Sequence, residues 1–224
     1  LGPIGDIYDS VCLEKLEKSS TKRKASFENL LDLKPTLYVT RPQKISVVVP
    51  AYNASSYIGQ ALQCLQTQSW VNLEIIVVDD ASTDDTHAVV SALATGDSRI
   101  RIIRCTTRGG AYSARNLGLK EATGEFIVNH DSDDWSHPRR LEIMIEPMLE
   151  NPSIIASSCS WVRVDSEFLF LRPRPDEQLV HSRVSTIMIR ALELRSLGGW
   201  NEAKVAADSE LWFRIRTLYG AECT

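Results

Sequence analysis

The sequence predicts an α/β fold: a Rossmann-like, mostly parallel central sheet flanked by helices, then a mixed second half, with a helical extension in front. Three observations carry this expectation. From residue 44 onward, apolar β-branched runs alternate with amphipathic segments, as in strand–helix–strand units with right-handed crossovers. The strand runs are continuously apolar, as in strands covered on both faces. After residue 152 the strand-like runs follow one another with short connections and no long helix between them.

Residues 1–43 stand apart as a helical extension or linker. "IYDSVCLEKLEK" places Ile7, Val11, Leu13 and Leu16 at roughly helical spacing. "SSTKRKAS" is a polar, basic linker, and "FENLLDL" is a second short helix closed by Pro35. The extension either packs on the main domain or connects to a preceding one.

Residues 44–224 form the main domain. "KISVVVP" is its first strand. "SSYIGQALQCLQTQS" is a helix with Ile58, Ala61, Leu62 and Leu65 on one face. "LEIIVVDD" is the second strand. "STDDTHAVVSALA" opens with capping residues and puts Ala88, Val89, Ala92 and Leu93 on one helical face. "RIRIIRC" is a third strand, "GGAYSARNLGLKEA" a third helix and "EFIVNHD" a fourth strand. "HPRRLEIMIEPMLEN" is a helix that begins with Pro and that Pro147 should end or kink. "SIIASSCSWVRVD", "EFLFLR" and "VSTIMIR" read as strands. "RALELRSLGG" is a short helix with a glycine stop, and "DSELWFRIRTLYG" is a last helix with Leu211, Ile215 and Leu218 in register.

Bulk properties exclude several classes. The 224 residues suit one large domain, or a domain plus a segment, and 43% hydrophobic residues suffice for a full core. A formal charge of −4 gives no general case for binding nucleic acid. Nucleotide-sized ligands are recognised locally and stay open. No apolar run reaches the roughly 18 residues of a membrane span, and the start lacks a signal-peptide layout. Cys12, Cys64, Cys105, Cys159 and Cys223 are scattered without metal spacing, which reads as free thiols in a reducing compartment. The chain stops at "GAECT", straight after a helix-like run, and so reads as a piece of something longer.

Ligands of open parallel sheets bind beyond the carboxyl ends of the strands. Here those ends carry Pro50-Ala51-Tyr52-Asn53, then Asp79-Asp80, then Arg108-Gly109-Gly110, then Asp131-Ser132-Asp133-Asp134. Each has a structural reading beside the functional one. Tyr52-Asn53 can be a turn, Asp79-Asp80 a helix cap with a solvated loop, and Gly109-Gly110 a turn. Their common edge is what suggests a site. There is no G-x-G-x-x-G after the first strand and no G-x-x-x-x-G-K-[ST], which argues against dinucleotide and P-loop folds. A phospho-acceptor pocket lacks its late-strand Lys.

The cluster in "VNHDSDDW" is the sharpest item, because like charges so close need water, protons or a cation. An EF-hand loop fails: Trp135 and Ser136 stand at its fifth and sixth positions, although Glu142 falls at its last. A helix-capping turn ahead of Pro138 is the bland alternative. The preferred reading is a hard-cation site, with Asp131 and Asp133 facing one Mg2+ or Mn2+ whose shell water and a ligand diphosphate complete. Asp134 then serves as a structural or capping partner to the next helix.

Four stretches, "ISVVVPAYNASSYIGQALQCLQTQSW", "EIIVVDDASTDDT", "GGAYSARNLGLKEATGEFIVNHDSDD" and "LGGWNEAKVAADSELWFRI", resemble in order the family 2 inverting glycosyltransferases of the glycosyltransferase A fold. The resemblance covers about residues 44–220. It implies that Pro50, Ala51, Tyr52 and Asn53 line the nucleotide pocket, with Tyr52 near the base. It implies that Asp80 accepts a hydrogen bond from a uracil ring and that Asp79 supports its loop. Gly110 and Arg115 fall beside the nucleotide and diphosphate. Asp131, Ser132 and Asp133 correspond to the D-x-D stretch that positions the donor and coordinates Mn2+ or Mg2+. Asp208 occupies the position of the catalytic base, with Glu210 a lesser candidate, and Trp200 in "GGWNE" lies beside the sugar. Two departures stand out: Ala207-Asp208 where the family often has Glu-Asp, and His130 where an apolar residue is usual. His130 packs locally or adds a pocket contact. His181, ahead of the strand "VSTIMIR", is a surface residue, or a metal or acceptor contact.

The resemblance implies hexosyl transfer from a nucleotide-diphosphate donor, a UDP-sugar, to a hydroxyl of a glycan or glycoconjugate. Bacterial surface-polysaccharide assembly is a common setting of that family, in the cytoplasm or peripherally at the inner face of the membrane. The alternatives are a catalytically silent nucleotide-sugar-binding or scaffold domain of the same fold and a nucleotidyltransferase. The latter favours a Gly-rich, basic first loop, which "PAYNASSY" is not.

Overall fold

The computed structural model describes residues 33–165, 186–203 and 205–224. Strands β1 (Ile45–Ala51), β2 (Leu73–Asp79), β3 (Ile100–Arg104) and β4 (Phe126–Asn129) run parallel to their neighbours. The short β5 (Ala156–Ser157) and β6 (Met188–Arg190) pair antiparallel, and β6 pairs antiparallel with β4. The sheet order is therefore β3-β2-β1-β4-β6-β5. The chain winds outward from β1 to β3, then crosses back to place β4 on the other side of β1. The strand order reverses between β1 and β4, and the carboxyl end of that gap is where such sheets open a crevice.

Every residue of β1 and β2 is buried, which explains why their sequences are apolar without alternation. Successive side chains take opposite faces. Val47, Val49, Ile75, Val77 and Val128 pack toward α1 (Ile58–Gln66) and α4 (Arg140–Glu150). Val48, Ile76, Val78 and Ile127 pack toward α3 (Ala111–Glu121), α5 (Ala191–Ser196) and α6 (Ala207–Tyr219). Burying each Val, Leu or Ile contributes about 1.5–3 kcal/mol, so the fold rests on the β1–β2 pair. On α3, a Cβ at Gly118 would lie 2.4 Å from Val48 Cγ1. Only glycine lets that helix sit so close to β1, and this close seat brings the first turn of α3 over the strand ends.

Polar groups fix the two ends of this arrangement. At the amino edge, Glu74 is buried and accepts hydrogen bonds from Ser46 Oγ (2.6 Å), Thr123 N (2.7 Å) and Thr123 Oγ1 (2.9 Å). Lys44 and Arg101 lie at 3.2 and 3.3 Å. Burial pushes the Glu74 carboxyl up, but these donors outweigh it and hold it at about 2. On the other layer, Gln68 Oε1 accepts from Leu141 N (3.1 Å), serving an orphan donor in the first turn of α4.

Three sequence expectations are corrected. In α2 (Thr86–Gly96), Ala88 and Ala92 are exposed, and Thr86 and Val90 are buried, with Val89, Leu93 and Ala94 packed beside them. The helix is rotated because the Thr86 hydroxyl is held inside, accepting from Ala54 N at 2.7 Å. Pro147 does not end α4, which runs on to Glu150. The carbonyl that loses its partner belongs to Ile143, and Ile143 and Pro147 both lie on the solvent face, where water replaces the bond. In α6, Leu211 and Ile215 are buried but Leu218 is exposed, and Tyr219 takes the inward position. The expected helices within residues 1–32 and the strand "EFLFLR" lie outside the described residues.

The Glu74 cluster predicts an acid signature. The folded carboxyl keeps its charge to about pH 2, whereas its ordinary value is 4.5. Its contribution is complete above about pH 4.5 and is lost as pH falls toward 2. Urea denaturation should show Glu74→Gln less stable than wild type at pH 7, with the gap shrinking through that window. A pH-independent gap contradicts the assignment.

Candidate functional site

The loops at the carboxyl edge are tied to one another before any ligand enters. After β1, Asn53 N donates to Ser82 Oγ (3.0 Å), Ala54 N to Thr86 Oγ1 (2.7 Å) and Ser55 N to Asp84 Oδ2 (3.0 Å). In return Asn53 Oδ1 accepts from Thr83 N at 2.9 Å. The polar run "STDDT" thus supplies partners to the preceding loop as well as to its own helix. Asp84 Oδ1, not the N-cap residue Asp85, accepts from Thr86 N (3.0 Å). Among the described residues the non-glycine positive φ values are Asn53, Ala81 and Ala206, and all three flank this edge. Strained backbone gathered at one place is a pointer to function.

The first group of side chains lies beyond β1 and β2. Tyr52 is half-exposed and its ring is covered by the Arg108 guanidinium, 3.8 Å from the centroid. Asp79 is fully buried; its Oδ1 accepts from Ser82 N (2.9 Å), while Arg104 Nε stands 3.8 Å from Oδ2. Asp80 N donates to Ala51 O (2.8 Å). The Asp80 carboxylate accepts from Gly109 N and Gly110 N, both at 2.7 Å. Gly110 sits at φ 90 directly before α3, so Asp80 sets where that helix starts. A shallow cleft lined by Ala81, Ser82, Arg104, Cys105 and Thr106 opens beside these groups. Burial, then Asp80 and Asp79, push the Cys105 thiol up.

The second group is organised by Arg115, one turn into α3 and 3% exposed. Its Nη1 donates to Asp208 Oδ1 and its Nη2 to Asp131 Oδ1, both at 2.7 Å. One guanidinium therefore joins the D-x-D loop to the first turn of α6. Burial works against the Arg115 charge, but the two carboxylates raise its pKa above the ordinary arginine value. Asp208 Oδ1 also accepts from Trp200 Nε1 (3.2 Å), and Oδ2 faces the Tyr112 hydroxyl at 3.4 Å. Trp200 is 3% exposed, so its indole points at Asp208 and not at solvent. Asn116 clamps the Trp200 backbone from both sides, accepting from N and donating to O at 2.8 Å each. A Cβ on Gly199 would fall 2.4 Å from Asn116 Oδ1, so the clamp requires glycine there.

The acidic loop follows β4. Asp131 Oδ2 and the Asp133 carboxylate make no hydrogen bond among the described residues. Asp134 N closes the turn on Asp131 O at 3.2 Å. The sequence offers Asp134 as a structural or capping partner of α4, but it makes no cap hydrogen bond there, and Gln68 accepts from Leu141 N instead. Its carboxyl is pushed up to about 7, by desolvation and then by Asp131 and Asp133. The residue is exposed, so crowding of like charge is the cause the geometry supports. These oxygens suit a hard divalent cation shared with phosphate and water. Among the described residues there is no cluster of three or more His, Cys, Asp or Glu to form an all-protein cage.

His130 is a strut beneath this loop. It is 1% exposed, its Nδ1 meets Asp131 O at 2.9 Å and its Nε2 faces Cys64 Sγ at 3.6 Å. Burial, then Arg140, press its pKa down to about 3, so the ring is neutral and donates from Nδ1. It packs locally and offers nothing to the edge.

Asp131, Arg115, Trp200 and Asp208 are brought together, and Tyr52, Asn53, Asp79, Asp80 and Gly110 form a separate group. Pro50 and Ala51 remain within β1, and Ser132 lies in the Asp131–Asp134 turn. Glu210 is committed elsewhere, to Arg214 at 2.6 Å. His181 lies outside the described residues. Sequence reasoning passed over Tyr112 and Asn116, and gave Arg108 a place at the edge but no role. Tyr112 is three positions before Arg115, the spacing that puts two residues on one helical face, so a signal existed.

The family model for Glycosyl transferase family 2 matches residues 46–200. The glycosyltransferase GlyG of Streptococcus pneumoniae is 32% identical over 158 residues, 70% of this chain and 51% of that protein. An uncharacterized glycosyltransferase of Haemophilus influenzae is 36% identical over 107 residues, 48% of this chain and 43% of that protein. The chain spans about half the length of these curated relatives. Among solved structures, S. aureus TarS in complex with UDP superposes with a TM-score of 0.58 at 28% identity, covering 74% of this chain and 52% of that one. The mannosyltransferase PcManGT from Pyrobaculum calidifontis, in complex with GDP-Man and Mn2+, gives 0.64 at 24% identity over 86% of this chain and 58% of that one, a likeness of fold.

Removing Arg115 leaves the Asp208 carboxylate, its side chain 13% exposed, without an ionic partner among the described residues. Arg115→Ala should cost about 3–5 kcal/mol by chemical denaturation, the range for breaking a buried ion pair. Arg115→Lys should restore only part, because an ammonium lacks the fork that reaches both carboxylates. A loss below about 1 kcal/mol for Arg115→Ala contradicts the bridge.

Proposed function

The chain belongs to glycosyl transferase family 2 and has the glycosyltransferase A fold; from that premise we propose that it moves a sugar from a nucleotide-diphosphate donor, a UDP-sugar, to an acceptor hydroxyl with inversion. The observation that carries this reading is the meeting of Asp131 and Asp208 on Arg115. It supports two carboxylates with separate tasks held at a fixed spacing in one crevice.

In this proposal Tyr52 lies against the base, with Arg108 already on its face. Asp80 holds the Gly109–Gly110 turn, and Asp79 holds the loop that carries it. Asp131 and Asp133 receive the donor, together with a divalent cation, Mn2+ or Mg2+. Such a cation supplies charge neutralisation for the departing diphosphate. Asp208 takes the proton of the acceptor hydroxyl as its oxygen attacks the anomeric carbon. The new carbon–oxygen bond forms on one face of the sugar. The bond to the diphosphate breaks on the other, and its electron pair leaves with the phosphate oxygen. Arg115 holds Asp208 in place while the nearby loop gathers negative charge.

A glycan or glycoconjugate acceptor and a setting in the cytoplasm, or peripherally at the inner membrane face, go with this reading. No helix among the described residues is long and apolar enough to cross a membrane.

The test is UDP release from a panel of UDP-sugars, with and without glycan acceptors, alongside UDP calorimetry in Mn2+ and in EDTA. Asp208→Asn should lower turnover by about 10²–10⁴-fold, the usual worth of a general base, and leave UDP affinity in Mn2+ unchanged. Equal losses of turnover and affinity would sink the base assignment. UDP binding that is equally tight in EDTA argues against the cation.

A further inference from the structure

Asp208 is gripped unevenly. Oδ1 takes two donors, Arg115 Nη1 at 2.7 Å and Trp200 Nε1 at 3.2 Å. Among the described residues Oδ2 has only the long Tyr112 hydroxyl contact at 3.4 Å. An N–H to a carboxylate fixes the torsion of the group as well as favouring its charge. Two such donors on one oxygen turn the other oxygen outward. We propose that Trp200 is a positioning residue whose indole N–H, with Arg115, holds Asp208 Oδ1 and so presents Oδ2 to the acceptor hydroxyl. This inference rests on the reading of Asp208 as the base.

The indole can do this because its own place is over-determined. Asn116 clamps the Trp200 backbone on both sides, Gly199 adopts φ 78 to admit that clamp, and the ring is buried against α3 and α6. The Asp208 side is equally set: Ala206 adopts φ 63 directly before α6, which fixes the direction in which the first turn projects Asp208. Among the described residues the charged and titratable groups around Asp208 are Arg115 and Tyr112 on α3, Asp131 beyond Arg115, and Glu210 on its own helix, neutralised by Arg214. None of these duplicates the indole donor. Tyr112 Oη marks the side on which a hydroxyl can approach Oδ2.

Trp200→Phe removes the N–H and keeps an aromatic ring in the cavity. With UDP-N-acetylglucosamine as donor and water as acceptor, it should lower kcat about tenfold, the worth of one hydrogen bond to a charged group, with KM and UDP affinity unchanged. A merely structural role would raise KM and weaken UDP binding together with kcat, and that pattern overturns the proposal, as does an unchanged kcat. The chain has five Trp, and the 15N–1H indole signals give a readout that needs neither turnover nor a folded Trp200→Phe. One indole signal of the wild type should move upfield in Asp208→Asn, where a neutral amide replaces the carboxylate. Five signals unmoved by that substitution overturn the proposal. If Asp208→Asn keeps full turnover, the base reading fails instead. If Asp208→Asn abolishes turnover while Trp200→Phe leaves kcat intact, the positioning role alone fails.

Discussion

The Arg115 bridge is the constraint on which the rest of the site depends. A guanidinium 3% exposed, with Asp131 on one amino group and Asp208 on the other, needs a carboxylate partner to stay buried. Burying an unpaired arginine costs several kcal/mol, so the acidic loop and α6 are drawn to the same point. The same charge answers the crowding of Asp131, Asp133 and Asp134, which on its own is unfavourable. Asp80 completes the arrangement by fixing Gly109 and Gly110, and so the start of the helix that carries Arg115. The two groups of site residues are thus linked through α3, not through a ligand.

The sheet explains why α3 can serve as this hub. It lies over β1, next to the point where the strand order reverses, with Gly118 seated on Val48. Its first turn therefore stands above the ends of β1 and β2, from where Arg115 reaches Asp131 beyond β4. Asn116, the next residue after Arg115, fixes Trp200 in the same manner. Consecutive residues of one helix tie down two loops from the second half of the chain. The antiparallel β6 and β5 extend the sheet beyond β4 and leave this crevice open.

Much of the fold is legible in the sequence because burial on both faces writes unbroken apolar runs, as in "ISVVVPA" and "LEIIVVD". The candidate carboxylates are legible for a related reason: Asp79, Asp80 and Asp131 follow such runs, where only a site or a turn tolerates them. What one residue contacts over long separations is not legible. Arg115 reaches 16 positions forward to Asp131 and 93 to Asp208, a meeting created only when α6 packs on the sheet. The family resemblance implies a place beside the sugar for Trp200, and the Asn116 clamp shows why its ring turns inward. The rotation of α2 escapes periodicity because a buried hydroxyl, Thr86, outweighs two alanines that gain little from burial. Pro147 reads as a helix stop or kink, yet the helix runs on, because its missing bond falls on the exposed face.

A double-mutant cycle on Asp131→Asn and Asp208→Asn, read as unfolding free energy, tests the bridge most directly. Each single variant leaves Arg115 one carboxylate, whereas the double variant leaves it buried with none. The loss in the double variant should therefore exceed the sum of the two single losses by about 1–3 kcal/mol, the coupling expected of residues that share a partner. Additivity within about 0.5 kcal/mol, the behaviour of independent sites, would contradict the claim that one arginine holds the site together.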